Sequence, residues 1–453
     1  MSATVSKSEI ASLPPEFGER HSHSSGAIFG IGLMVRRSLR QHLLSTMITV
    51  LSVALASGLV MSVFAINAQT RAAFTGGPIG FDAVLGARGS QLQLVLNAVF
   101  HLETSPGNVP WSLYTRLKSD NRVALAVPYA VGDNYKGFRI VGTTEEMFSQ
   151  FEYQKGRKFE MQPGGRAFNA SRREAVIGDF AARQTGLRVG STFNPYHGLA
   201  ANSTDKHPDE YVVTGIMKPT NSPSDRVIWI PIEGIFRMTG HVLRGAGTMT
   251  TATAAQPYVA KAGEQIPDEY KEISAVMIKF RSPQSGMAME QTVNKQGTVA
   301  TMAYPIGRVM LDLFDKLGWV NRILELVSYL VVVVAAASIL ASIYNTISER
   351  RREFAILRAL GARRGTVFNA IVAESASIAA LGALFGFVVY AVILGATAAV
   401  VRARTGVVID PFQYNHALLA TPVGITIVGA LAGILPAIKA YSTDVASNLV
   451  PSS

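Results

Sequence analysis

The chain has 453 residues, no cysteine and a formal net charge of +11 at neutral pH. Without cysteine, disulfides and thiolate metal sites are excluded, so any extracytoplasmic part must be held together by its own apolar core. A basic excess is common in nucleic-acid-binding proteins, but here the arginines cluster at the edges of apolar runs and not along a soluble face with stacking aromatics. Membrane retention and orientation therefore account for most of the charge.

Four apolar runs are long enough to cross a bilayer. They predict transmembrane helices at residues 43–70, 326–347, 370–401 and 417–438. The first run is longer than the apolar core of a signal peptide, and no small-residue cleavage site stands out after it, so it is interpreted as a retained anchor. The expected fold class is therefore an α-helical membrane protein with four transmembrane helices.

Basic residues near the spans predict the orientation of the chain. Residues 1–25 are expected to form a disordered cytoplasmic tail and residues 26–42 a cytoplasmic amphipathic helix that carries Arg36, Arg37 and Arg40. Alternation then places residues 348–364, with six arginines against two glutamates, on the inside. It also gives a large domain outside at 71–304, a short outer loop at 402–416 and a cytoplasmic tail at 439–453.

The large outer segment is predicted to be an α/β domain with room for two subdomains. A mixed α/β subdomain is expected from about 78–157 plus 272–304, interrupted by a mainly β insertion at about 158–271. Strand, helix and loop signals support this division. They predict strands at 174–178, 187–193, 210–217, 226–230 and 274–280, helices at 110–119 and 179–186, and flexible loops at 196–209 and 244–263.

A heptad-like stripe precedes the second span, with apolar residues at alternating spacings of four and three. Its members are Ile306, Met310, Leu313, Leu317, Val320 and Leu324. No proline lies between Pro305 and the end of the second span, so residues 305–325 are predicted to form a stalk helix that continues into the membrane. The alternative is an ordinary amphipathic helix packed on the outer domain, and either form links that domain mechanically to the membrane.

Motifs in both end regions of the chain resemble one known family. They are Gly32–Arg40 before the first span, Glu349–Ala362 between spans two and three, Glu374 at the entry to span three, and Gly433–Ala440 at the end of span four. Together they resemble the MacB/FtsX type of ABC transporter permease. The resemblance implies a type VII ABC system, in which a permease dimer transmits ATP-driven motion to the outer domains without forming a through-membrane channel.

The resemblance also implies that the loop at 348–364 contains a short helix that docks into a groove of the ATPase. The ATPase-coupling residues would be Glu349, Arg350, Glu353, Phe354, Leu357, Arg358, Leu360 and Gly361. Phe354 and Leu357 share one helix face, Ile356 and Leu360 share another, and the arginines can pair with acidic residues or lipid phosphates. The alternative is an arginine cluster that only sets topology.

Nucleotide hydrolysis is expected on another subunit. A P-loop needs Gly-Lys followed by Ser or Thr, and no Gly-Lys dipeptide occurs in the 453 residues. The chain is therefore predicted to be a non-catalytic permease without a cofactor of its own, while ATP and Mg²⁺ bind the partner ATPase. Implied partners are two ATPase copies, a second permease copy or paralogue, the lipid bilayer, and a periplasmic membrane fusion or substrate-binding protein, with no nucleic acid.

These inferences predict a mechanotransmission subunit in the bacterial inner membrane, with both termini cytoplasmic, that drives export or extrusion of a periplasmic substrate. The alternative is a regulatory scaffold that activates a periplasmic partner such as a cell-wall hydrolase. A receptor without an ATPase would leave the coupling-like loop unexplained.

Other candidate sites carry weaker signals. His101 with Glu103, and His197 with His207, Asp205 and Asp209, have ligand chemistry suited to a divalent metal, but histidines in a polar loop are usually solvated, so no metal site is predicted. Glu374 at the membrane boundary is expected either to pair with an arginine of the 348–364 loop or to reach the interface. Two small-xxx-small pairs are suited to close helix packing within the subunit or across a dimer: Gly382 with Gly386, and Gly429 with Gly433.

Overall fold

The structure is a computed structural model. It describes residues 23–76, 79–200, 202–239, 241, 243, 258, 264–406, 408–410 and 413–441. The expected disordered tail (1–25) lies almost wholly outside this part of the chain, as do most of the loop expected at 244–263 and of the tail at 439–453. The chain forms two compact units, a helical unit (Met1–Phe64, Leu324–Ile393 and Tyr414–Ser453) and an α/β unit (Ala65–Ile323 and Leu394–Gln413).

The long helices begin and end close to the predicted spans. They are α2 (Leu43–Gly76), α10 (Gly318–Glu349), α12 (Arg364–Thr405) and α13 (Ala417–Tyr441). Helix α1 (His23–Gln41) precedes the first of them, and the short helix α11 (Arg351–Ala359) connects α10 to α12. In the described residues, four helices are long and apolar enough to cross a membrane, namely α2, α10, α12 and α13. Because α12 continues to Thr405, Arg402 and Arg404 lie in its last turn and not in the outer loop predicted to start at 402.

Helix packing in the helical unit depends on glycine. A Cβ added at Gly382 would lie 2.5 Å from the Val53 Cβ, and one added at Gly386 would lie 2.6 Å from the Ser57 Cβ. Glycine at these positions lets α12 approach α2 at backbone distance. Gly429 and Gly433 do the same between α13 and α12, so both predicted glycine pairs pack within the subunit.

The α/β unit is built around one mixed sheet with short helices on both faces. Its strands in the described residues, five of them only two residues long, are β1 (Ala83–Ala87), β2 (Val109–Pro110), β3 (Val123–Tyr135), β4 (Phe138–Thr143), β5 (Glu152–Gln154), β6 (Arg157–Lys158), β7 (Glu174–Ile177), β8 (Thr192–Phe193), β9 (Tyr196–His197), β10 (Tyr211–Ile216), β11 (Ile228–Pro231), β12 (Glu272–Ile273), β13 (Ala275–Phe280) and β14 (Ala300–Ala303). Two pairs, β2 with β12 and β5 with β6, form separate two-stranded sheets. The helices are α3 (Gln91–Ala98), α4 (Trp111–Ser119), α5 (Glu146–Ser149), α6 (Asp179–Thr185), α7 (Ile232–Phe236), α8 (Pro283–Gln291) and α9 (Ile306–Lys316).

The main sheet has ten strands in the order β14-β1-β13-β3-β4-β11-β7-β10-β8, with β9 paired to β3. The first half of β3 pairs with β13 and its second half pairs with β4. The strands of the segment expected as a separate β insertion, 158–271, therefore extend the sheet of the mixed subdomain. The sequence could not show this, because the two halves are joined by the pairing of β3 with both β13 and β4, and the spacing of residues along the chain does not reveal strand pairing.

Alternation along the strands fills both faces of this sheet. On β11, Ile228 and Ile230 face one apolar cluster together with α4, α6, α7 and α8, while Trp229 faces a second cluster together with α3, α5 and α9. Trp229 is fully buried. The unit thus has two core layers around one sheet, which is the mixed α/β architecture that the sequence predicted.

Candidate ATPase-coupling site

Helix α11 occupies the predicted coupling segment between α10 and α12. Glu353 lies in its first turn and Arg358 in its last, which suits the helix dipole. Gly361, two residues beyond the last helical residue Ala359, stops the helix with a left-handed φ of +100°. The Gly361 N–H donates to the Arg358 carbonyl at 3.1 Å and the Ala362 N–H to the Leu357 carbonyl at 3.0 Å, the pair of bonds of a Schellman motif.

The apolar residues of α11 divide between a covered face and an open face. Ala355 is buried and Phe354 packs against the apolar cluster of the helical unit, while Leu357 is half-buried. Ile356 and Leu360 are instead 44% and 80% exposed. These two residues are four apart and share one side of the helix. The open apolar surface is therefore formed by Ile356 and Leu360, and Phe354 holds α11 to its own chain.

Arg350 joins α11 to two other helices. Its Nη1 donates to the Ser38 Oγ on α1 at 2.7 Å and lies 3.8 Å from the Glu374 Oε2 on α12. Its Nε lies 2.9 Å from the Glu353 Oε2, and its guanidinium lies 5.2 Å from the centre of the Phe354 ring. The Ser38 hydroxyl in turn donates to Glu374. Glu374 thus pairs with an arginine of the loop, one of the two outcomes that the sequence allowed.

This polar cluster is largely removed from water. Ser38 and Glu374 are 1% and 8% exposed. Buried charges are costly unless they are paired and hydrogen-bonded, so the cluster holds α1, α11 and α12 in one arrangement. Glu349 adds a further link to the residue between α1 and α2, with its Oε2 3.4 Å from the His42 Nδ1. Arg351 and Arg352 point outward and are exposed.

Sequence reasoning missed Ser38 and His42 as members of this cluster. The sequence predicts only a basic amphipathic helix at 26–42, and a serine 336 residues from its carboxylate partner carries no local signal. The one available hint is spacing, because Val35 and Ser38, three residues apart, are both buried.

The predicted stalk is two helices and not one. Helix α9 ends at Lys316, the cap residue Leu317 leaves helical geometry, and α10 begins at Gly318. Ile306 and Met310 are buried in the core of the α/β unit and Leu313 packs against it. Leu317 and Leu324 are exposed, and Val320 is half-buried. The first half of the stripe is therefore the alternative form, an amphipathic helix packed on its domain.

Two family models match the chain. The MacB-like periplasmic core domain matches residues 46–295, more than half of the chain, and the FtsX-like permease C-terminal domain matches residues 325–445. Together the two models place the chain in the class of transporter permease subunits. The chain belongs to the MacB/FtsX type of ABC transporter permeases, a family whose members work with an ABC ATPase.

Two solved structures are similar in part. One is the extracellular domain of the noncanonic ABC-type transporter YknZ from Gram-positive bacteria, at 15% identity and a TM-score of 0.28, covering 48% of this chain and 97% of that one. The other is the periplasmic region of MacB from Actinobacillus actinomycetemcomitans, at 10% identity and a TM-score of 0.31, covering 52% and 94%. No curated protein sequence matches the chain.

Proposed function

We propose that this chain carries ATP-driven motion from a cytoplasmic ABC ATPase to its α/β unit, which then extrudes or hands on a substrate outside the cytoplasmic membrane. The observation that carries the proposal is α11: a short helix with an open apolar pair, Ile356 and Leu360, fastened by Arg350 to α1 and α12. A partner that grips the open side of such a helix can move the attached helices with it.

The charge pattern supports the same assignment. Six arginines at 348–364 favour a cytoplasmic position for α11, which puts both termini inside and the α/β unit outside. ATP and Mg²⁺ are then bound by the ATPase, since the sequence has no Gly-Lys dipeptide with which to build a P-loop. The working assembly is two permease copies with two ATPase copies in the bacterial inner membrane.

The test is the double variant Ile356→Asp/Leu360→Asp. Fully burying a Leu or Ile side chain contributes about 1.5–3 kcal/mol, and the exposed fractions of these two residues together amount to slightly more than one whole side chain. Docking should therefore weaken by about 2–4 kcal/mol, or roughly 30- to 1,000-fold in affinity. Neither residue is buried in its own chain, so insertion and folding should be retained.

The matched control is Leu102→Asp/Val189→Asp on the α/β unit, where the two side chains are 43% and 44% exposed. Association is measured by co-purification with the cognate ABC ATPase and by titrating ATPase onto the permease in nanodiscs. Loss of ATPase binding and of permease-stimulated ATP turnover in the α11 variant alone is the expected result. Unchanged ATPase recruitment by that variant would refute the coupling role of α11. The arginines at 348–364 would then serve only to set the membrane topology.

A further inference from the structure

Three histidines and one aspartate converge on the second half of β3. From the sequence, His197 and His207 are expected to be residues of a solvated loop. The structure instead brings them together with Asp133 and His241, and one ligand atom from each of the four lies within 4.8 Å of the others. Asp133 is fully buried and His207 is 5% exposed. Asp205 and Asp209, the acids first grouped with these histidines, are not part of this set. We call the four residues the histidine cluster.

Local backbone structure positions each member. A register shift between Val131 and Asp133 marks a bulge in β3, a feature that re-aims the side chains of a strand. His197 lies on β9 directly opposite Asp133. The backbone N–H of His207 donates to the Pro195 carbonyl at 2.9 Å, and the backbone N–H of His241 donates to the Met238 carbonyl at 3.0 Å. Three separate chain segments thus meet at one carboxylate.

The hydrogen bonds of the rings fix which nitrogen faces the centre. The Nδ1 atoms of His207 and His241 lie 2.7 Å from the Thr239 carbonyl and 3.0 Å from the Ile235 carbonyl. A carbonyl only accepts, so each Nδ1 carries a proton, and Nε2 is the ring atom that faces the centre. Both Nε2 atoms lie 3.3 Å from the Asp133 Oδ1. Backbone carbonyls that orient imidazoles in this way are typical of metal-ligating histidines.

A carboxylate oxygen that faces two Nε2 atoms needs positive charge between them, supplied either by protons on the rings or by a metal ion. Among the described residues, the Asp133 Oδ2 has no hydrogen-bond partner, although it is fully buried. No arginine or lysine lies within ion-pair distance of Asp133 in the described chain; its close charged-type neighbours are the three histidines. The cluster therefore combines one buried carboxylate, with an oxygen that no hydrogen bond satisfies, and three imidazoles that converge on it.

The dimensions suit a tetrahedral ion. Metal–nitrogen bonds of about 2.0–2.1 Å place the ligand atoms of a tetrahedral zinc site roughly 3.3 Å apart. The nitrogens of His207, His241 and His197 lie 3.3, 3.3 and 3.6 Å from the Asp133 Oδ1. The ring centres are almost equidistant, at 5.1–5.4 Å from one another. Three imidazoles and one carboxylate favour zinc-like transition metals over Mg²⁺ or Ca²⁺, which prefer all-oxygen ligands.

We propose that Asp133, His197, His207 and His241 bind one divalent transition metal ion of the Zn²⁺ class. The ion fastens the segment after α7 and the 197–207 loop to β3. It reaches the site from a surface cavity of about 380 Å³ whose lining includes His197, His241, Gly132 and Glu272. This site is independent of the coupling role of α11.

The test uses the full chain in detergent, stripped with a chelator and titrated with Zn²⁺ and with Co²⁺. Expected results are one Zn²⁺ per chain by elemental analysis, a rise in the thermal unfolding temperature, and the intense visible bands of four-coordinate Co²⁺. His207→Gln and Asp133→Asn should each weaken Zn²⁺ binding at least 100-fold and abolish the Co²⁺ bands. His416→Gln, a histidine outside the cluster, is the matched control and should bind as the wild type does.

Two outcomes overturn the proposal. One is a stripped wild type whose unfolding temperature and Co²⁺ spectrum do not change with metal, which would make the cluster a hydrogen-bonded group only. The other is equal Zn²⁺ affinity in wild type, His207→Gln and Asp133→Asn. The wild-type titration decides the first outcome by itself. For the second, the affinities are compared only between stripped proteins whose circular dichroism spectra match that of the stripped wild type.

Discussion

Gly429→Ala tests whether α13 and α12 pack at backbone distance. A Cβ at this position would lie 2.3 Å from the Ala379 Cβ and 3.3 Å from the Ile339 Cδ1. Ala379 is fully buried and has no flexible end that could move away. Carbon atoms pack best at about 3.5–4.0 Å, so the helices must separate by more than about 1 Å.

The magnitude follows from two opposing terms. Overpacking costs about 1–3 kcal/mol, while alanine in place of glycine within a helix gains about 1 kcal/mol. Gly424→Ala, on the same helix, isolates the second term, because within the described chain no heavy atom lies within 4 Å of a Cβ added there. The Gly429 variant should therefore be less stable than the Gly424 variant by about 1–3 kcal/mol.

The assay is reversible unfolding of the full chain in mixed micelles, followed by circular dichroism. Adding Ala379→Gly to Gly429→Ala removes the opposing methyl and should restore most of the lost free energy of unfolding, which a double-mutant cycle would report as coupling. Equal stability of the Gly429 and Gly424 variants, or the absence of coupling to Ala379, would refute the argument that these glycines set the helix contact.

Two further predictions concern charged groups. Glu374→Ala leaves Arg350 largely buried without this carboxylate and should lower the free energy of unfolding by about 3–5 kcal/mol in the same assay. Removing Glu353, the half-exposed partner of Arg350, should lower it by only about 0–1 kcal/mol. Equal losses in the two variants would contradict the buried cluster. In the α/β unit, the bidentate Arg166 guanidinium holds the pKa of Glu174 below its ordinary value of 4.5, against the opposing effect of burial. The stabilisation is therefore present above pH 4.5 and is lost as the pH falls through the lowered pKa, so denaturant unfolding of Glu174→Gln should depend less on pH there than unfolding of the wild type.

Several elements were predictable because their signals are local. Charge-free runs of membrane length indicated all four candidate spans, and β-branched and aromatic residues indicated β7, β10, β11 and β13. The predicted strand at 187–193 was only partly right, since the structure has just Thr192–Phe193 as β8 there. The break in the stalk was not predictable. The apolar pattern continues through Leu317, yet the helix ends there, because an apolar stripe indicates which side of a helix is buried and not whether the backbone continues as one helix.

The sequence by itself determined the membrane class, the basic loop between spans two and three, and the mixed α/β character of the remaining unit. Each of these depends on free energies that neighbouring residues determine, such as the cost of burying charge in a bilayer or the preference of β-branched side chains for strands. Tertiary structure alone decided which side of α11 is open, that Ser38 and Glu374 meet Arg350, and that β3 joins two predicted subdomains in one sheet. It also decided the histidine cluster, in which His241 reaches a carboxylate 108 residues away. Such meetings depend on strand register, a bulge and helix packing, and these are set by the whole fold and not by the spacing of residues along the chain.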